Sequence, residues 1–189
     1  MHKYILSFLL LAATVFAEDP APAADLPLPE QAAAALEAGE TKDAVKLYEK
    51  AIKASPDDAQ LQTDYAQALG VRIGQVNFMA QGFIASKMLK AYERSVEIDP
   101  DHLTGWIGLC RYYLNAPAIA GGSADKAETY AKEVHQRVAW LGEVELGLVA
   151  EKRGDLDAAK THFEAALAAK PGYPEATKAL ERIAAKSTE

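Results

Sequence analysis

A spacing of small and aromatic residues returns four times along this chain, and no other feature constrains its fold as tightly. The fullest copy reads Trp106-x2-Leu109-Cys110-x2-Tyr113, followed by Ala127, Ala131 and Val134. Two runs of three-to-four spacing separated by a turn describe a pair of amphipathic helices. One such pair has an apolar face that it cannot bury alone. Several pairs in a row bury a continuous core by stacking, and the stack is an all-α solenoid with a curved face suited to holding another protein.

The four copies begin at Asp25, Ala59, Leu103 and Trp140, so the intervals are 34, 44 and 37 residues. The first carries Ala44, Tyr48 and Ala51 and stops at Pro56. The second has Tyr65, Ala66 and Leu69 on its first helix (helix A), then Tyr92 and Ser95 before Pro100. The fourth has Leu146, Gly147, Ala150, Ala159, Phe163 and Ala166 before Pro171. Small residues at the contact positions let two helices approach closely, and Tyr or Phe fills the space between pairs. Turn chemistry agrees. Ser55-Pro56-Asp57-Asp58 and Asp99-Pro100-Asp101 stop one helix and offer an Asp cap to the next. Gly39 before Thr41, and Gly154 before Asp155, supply a helix-ending glycine and then a cap.

This pattern resembles the tetratricopeptide repeat, a helix-turn-helix unit of 34 residues. The resemblance runs from about Leu28 to the end and is fullest in the third and fourth copies. It implies a right-handed α-solenoid of about four repeats, near 25–58, 59–102, 103–139 and 140–173. A polar capping helix at 174–186 then closes a solenoid domain spanning 30–186. The stretch from Tyr112 to Ser123, followed by Asp125-Lys126-Ala127, resembles a motif of exported bacterial tetratricopeptide proteins of undefined role. It implies a compartment and a fold, with no reaction and no named partner.

The N-terminus reads as a secretory signal over 1–17. His2 and Lys3 form a short basic start, Tyr4 to Phe16 is apolar, and Val15-Phe16-Ala17 suits cleavage after Ala17. The run is too short to span a bilayer comfortably. A Pro/Ala-rich linker over 18–29 follows. The expected location is the periplasm or the cell exterior. Without the leader, the charge balance is 19 − 27 = −8. That acidity argues against nucleic acid, which calls for a basic stripe. It also supplies no polybasic patch for anionic lipid. Cys110 is the only cysteine, so the expectation is a buried, inert thiol in a small-residue position.

The extra residues in the second and third copies both fall between helices A and B, around Gly70 to Gly82 and at Ala116 to Ser123. In a solenoid those turns share one edge, so the two insertions should be neighbours. Phe78, Met79, Ile84, Met88 and Tyr92 keep helical spacing, which predicts a long second helix from about Val76 to Ile98. Pro117 and Gly121-Gly122 make the other insertion a turn. Two readings stand open. The edge binds a partner through Phe78 and Met79, as insertions in solenoids often do. Alternatively Phe78, Met79, Phe83 and Ile84 cover the loop from Ala116 to Ala120.

The family resemblance implies a binding groove on the face made by the A helices. Its positions here are Gln60, Thr63 and Gln67, then Thr104, Ile107, Arg111 and Leu114, then Leu141, Val144, Leu148 and Glu151. Thr63, Ile107 and Val144 stand where carboxylate-clamping relatives carry Lys, so that activity is not expected. Such a floor suits an amphipathic protein or peptide segment, and Arg111 is either the cation that anchors a carboxylate there or one half of a surface ion pair. His102, His135 and His162 show no zinc-site spacing. Neither a phosphate-cradling loop nor a nucleophile elbow occurs. The expectation is an exported, non-catalytic scaffold without cofactor or metal, binding an envelope or secreted protein. The alternative is a self-assembling structural module.

Overall fold

A computed structural model describes residues 26–186. The expected signal at 1–17 and most of the expected linker at 18–29 lie outside the described residues. Among the described residues there are nine α-helices and no strand. They are α1 (Leu28–Glu37), α2 (Thr41–Ala54), α3 (Ala59–Ile73), α4 (Phe78–Ile98), α5 (Leu103–Asn115), α6 (Ala124–Arg137), α7 (Ala139–Arg153), α8 (Leu156–Ala169) and α9 (Pro174–Lys186). A 3₁₀ turn, Ala118–Ala120, interrupts the α5–α6 connection.

Each helix packs on the next, as antiparallel neighbours joined by short turns must. In addition α3 touches α5, and α5 touches α7, skipping the intervening helix. The first helices of successive pairs therefore line up into one face. The architecture is an all-α solenoid of helical hairpins, closed at its C-terminal end by α9. Its apolar interior runs the length of the stack in three consecutive clusters. Among the described residues, no helix is long and apolar enough to cross a membrane.

Local chemistry explains the joints. The Asp58, Asn77, Ser123 and Asp155 side chains each accept from a backbone N–H three residues on, which satisfies an orphan donor of the new helix. Gly154 ends α7 at φ +82°, a left-handed turn that a side chain would strain. Two expected caps fail. Thr41 is the first residue of α2 rather than its cap, and its hydroxyl donates to Gln75 across the repeat boundary at 2.6 Å. His102 caps α5 instead of Asp101, while Asp99 accepts from the Asp101 N–H.

One close approach lies between α7 and α8. A β-carbon placed on Gly147 would sit 2.7 Å from the Phe163 ring, so the glycine is what lets that ring seat fully buried. Helix α9 buries Ala176, Ala179 and Ile183 and leaves Lys178 and Glu181 in solvent. Glu175, one of the polar residues of this capping helix, turns inward and accepts from Arg111.

Candidate functional site: the inserted edge and the A-helix face

The second hairpin, α3–α4, is the longest of the stack, and its tip is where apolar residues fail to bury. Asn77 opens α4, so Phe78 and Met79 occupy the first helical turn and stand 75 % and 87 % exposed. Phe83, one turn on, is 67 % exposed, and Val71 near the end of α3 is open as well. Only Ile84 of the expected covering group is buried. The self-packing reading therefore fails for three of its four residues. The reason is geometric: Ile84 faces back toward the α3 side of the hairpin core, whereas the first turn of α4 extends past it.

The second insertion lies beside the first, as its place on the shared edge required. The 3₁₀ turn touches α4. The Tyr112 hydroxyl donates to the Ala120 carbonyl at 3.0 Å, and the Ser123 N–H donates to Tyr113 O at 2.9 Å. These bonds pin the loop while leaving Ile119 87 % exposed at its crest.

Between the two insertions opens a cavity of about 410 Å³. Ile73 and Gly74 close it from α3, Ala85, Met88 and Tyr92 from α4, and Ala116, Pro117 and Ala120 from the loop. Helix α5 supplies Gly108, Arg111, Tyr112 and Asn115. A second, shallower depression of about 330 Å³ is lined by Leu114, Asn115, Leu148, Glu151, Lys152 and Lys186. Asn115 lines both, so the two depressions adjoin at that residue.

Of the two readings of Arg111, the ion pair holds. Its Nε and Nη2 donate to Glu145, the shorter bond at 2.6 Å, and Nη2 also reaches Glu175 at 2.7 Å. Glu145 is wholly buried. Burial works against the charge on Arg111, but the two carboxylates outweigh it and hold the guanidinium protonated. Burial raises the Glu145 carboxyl, and Arg111 opposes that rise. The three side chains tie α5, α7 and α9 together. Removing one partner would strand a buried charge. A charged residue amid the apolar run of α7, Trp140-Leu141-Gly142-Glu143-Val144-Glu145-Leu146, was the sequence signal for this network.

The remaining expected positions divide. Leu114 and Leu148 share the shallow depression. Gln60 and Gln67 are exposed, with Gln60 donating to Asp64. Thr104 and Ile107 are half-buried, and these four line neither cavity. Thr63 and Val144 are wholly buried. The Thr63 hydroxyl donates to the Gln60 carbonyl and lies 3.3 Å from His102, so neither side chain is offered to a partner. Cys110 is buried, and burial beside Glu145 pushes its thiol far above the usual range, which makes it a poor nucleophile. The histidines were not expected to meet. Yet His135 and His162, from α6 and α8, both bond Glu143 of α7, at 3.0 and 2.7 Å.

A stack of helical hairpins with aligned first helices, small residues at the contacts and a sealing last helix defines a repeat solenoid of the protein-interaction class. Tetratricopeptide-repeat sequence profiles match residues 28–68 and 144–173. The fold agrees with the crystal structure of TTC0263, a tetratricopeptide-repeat protein of Thermus thermophilus. That likeness has a TM-score of 0.71 at 17 % identity, over 88 % of this chain and 84 % of that one. Two crystal structures of MamA give TM-scores of 0.59 and 0.56, each at 16 % identity. They cover 82 % and 83 % of this chain, and 78 % and 94 % of theirs. The chain thus carries tetratricopeptide repeats at both ends of the stack and has the fold of tetratricopeptide-repeat proteins throughout. No curated protein matches its sequence.

Proposed function

We propose that this protein is an exported scaffold that holds a segment of an envelope or secreted protein. It does so on its A-helix face and its inserted edge, and it performs no catalysis. The observation that carries this reading is the inserted edge: its two insertions leave Phe78, Met79, Phe83 and Ile119 exposed and enclose a cavity whose lining shares Asn115 with the depression on the A-helix face. Apolar surface left in water costs free energy, so several large apolar side chains exposed at one edge mark a place where something docks. A segment with apolar anchors at helical spacing suits the floor between Leu114 and Leu148. The export half of the reading rests on the signal-like residues 1–17 and on the Tyr112–Ser123 motif.

The test is capture from envelope extract with partners identified by mass spectrometry. Arg111→Glu is a poor probe, because it would strand buried Glu145. Gln60→Lys with Gln67→Lys alters the face through exposed residues and leaves the core alone. Phe78→Asp with Met79→Asp alters the edge. A specific protein retained by wild type and lost at least tenfold by either variant supports the scaffold. Identical capture by all three chains contradicts it.

A further inference from the structure

We infer that the cavity between the two insertions is an anchor pocket for one aromatic side chain that carries an N–H or O–H donor, a tryptophan or tyrosine of the bound segment. This rests on the scaffold reading and names the chemistry that the inserted edge selects. The rest of the segment lies on the A-helix face, whose depression adjoins the cavity at Asn115.

Size sets the first limit. At about 410 Å³ the cavity falls near the lower end of the ~300–1,000 Å³ range of ligand pockets, so it admits one large group and not a length of chain. Its walls favour a flat, polarisable group. Tyr92 and Tyr112 supply rings, and Met88 supplies a thioether, which gains by contact with an aromatic ring. Tryptophan and tyrosine bury a large apolar body behind a polar handle, which is why they anchor so many interfaces.

Hydrogen bonding sets the second. Most donors of the lining are already committed. The Tyr112 hydroxyl donates to the Ala120 carbonyl at 3.0 Å, Asn115 Nδ2 to the Arg111 carbonyl at 2.8 Å, and Gln81 Nε2 to the Val76 carbonyl at 3.3 Å. Those bonds fix both amides with their oxygens unused: among the described residues no donor meets Asn115 Oδ1 or Gln81 Oε1. The lining therefore offers acceptors. An indole N–H or a phenol O–H answers them, and the plain ring of phenylalanine does not.

Charge sets the third. Among the described residues, Arg111 is the one charged group of the lining, and two carboxylates, Glu145 and Glu175, already hold it. Of its nitrogens, Nη1 alone has no partner among the described residues, which leaves it for a neutral acceptor such as the segment's own backbone carbonyl. Helices α3 and α5 also end at the cavity, at Ile73 and Asn115, and a helix C-terminus carries partial negative charge. One cation against two carboxylates and two helix ends disfavours an anionic occupant. It favours a neutral one that brings a proton to share.

The experiment is a titration of the full chain followed by amide NMR, with three probes. They are indole, N-methylindole, whose methyl replaces the donor, and indoleacetate, which adds a carboxylate. Indole should saturate, with shifts at Tyr112 to Ala120 and along the start of α4, and should bind about fivefold to tenfold more tightly than either analogue. Gln81→Met with Asn115→Leu should bring indole and N-methylindole to the same affinity. Ala120→Trp, whose own ring occupies the cavity, should abolish saturation. In a second arm, random peptides selected by display on the full chain should carry Trp or Tyr. Changing that residue to Leu should weaken binding to wild type but not to Ala120→Trp. Circular dichroism verifies the fold of each variant, and the comparison of indole with N-methylindole needs no variant. Equal affinity for those two, tighter binding of indoleacetate, shifts centred elsewhere, or selected peptides without an aromatic donor would each overturn the inference. A partner captured while indole fails to bind leaves the scaffold reading intact and sinks the pocket. Indole binding with no partner captured does the reverse.

Discussion

The hairpins α7–α8 and α3–α4 are built on the same register of small residues, yet they leave opposite surfaces. In α7–α8 the turn is short, Gly147 admits the Phe163 ring, and the buried Glu145 carboxylate is met by Arg111. No large apolar side chain of that hairpin stands exposed in water. In α3–α4 the contact positions Ala66, Leu69 and Ala91 pack as tightly, but the helices run on past their neighbours. Helix α4 has 21 residues against 14 in α8, and at an α-helical rise of 1.5 Å per residue the excess lengthens it by about 10 Å. The adjacent turns cannot follow, and Phe78, Met79 and Phe83 emerge. Stability resides where the period is kept, and exposed apolar surface arises where it is broken.

Substitutions that exploit this contrast span a wide range. The largest effect is expected from Phe163→Ala, which hollows the tight hairpin. It should cost about 4 kcal/mol in chemical denaturation. Arg111→Ala comes next, at about 3 kcal/mol, because it leaves Glu145 buried without its partner. Glu145→Gln should recover part of that loss in the double variant, which a cycle of the two substitutions measures. Gly142→Ala should cost about 2 kcal/mol, since the new methyl would meet the His135 backbone. Phe78→Asp with Met79→Asp, at the edge, should stay within about 0.5 kcal/mol of wild type.

A smaller effect is carried by pH. The Arg182 side chain, with help from Lys186, holds the Glu151 carboxyl below its ordinary value. A carboxyl lowered in the folded state contributes stability above its unfolded pKa, and that stability is lost as pH falls through the folded value. Glu151→Gln should therefore lower stability modestly in the neutral region and flatten the acid limb, so that its stability–pH curve meets that of wild type at low pH. A variant as acid-sensitive as wild type would show that the α7–α9 ion pairs do not couple to folding.

Helical spacing and turn residues were enough to find the hairpins. Trp106, Tyr113, Gly147 and Phe163 occupy periodic positions whose role is steric, and sterics follow spacing. The long α4 was readable for the same reason, its start falling at Phe78 against an expected Val76. The site was less accessible. Arg111 could be read two ways because its partners lie 34 and 64 residues away, and no local pattern encodes that distance. Thr63 and Val144 sat at groove positions by register, but the rotation of each helix against its neighbours buries them. Apolar spacing also could not say whether Phe78 and Met79 would be covered. That depends on how far the adjacent turn reaches, which is a property of the stack.

The most direct measurement pairs two readouts on one variant, Phe78→Asp with Met79→Asp: its thermal unfolding midpoint, and its association with captured protein. If the edge is a docking surface, the midpoint stays within about 2 °C of wild type while association falls. A midpoint that drops as far as that of Phe163→Ala, or association that survives intact, would contradict the account.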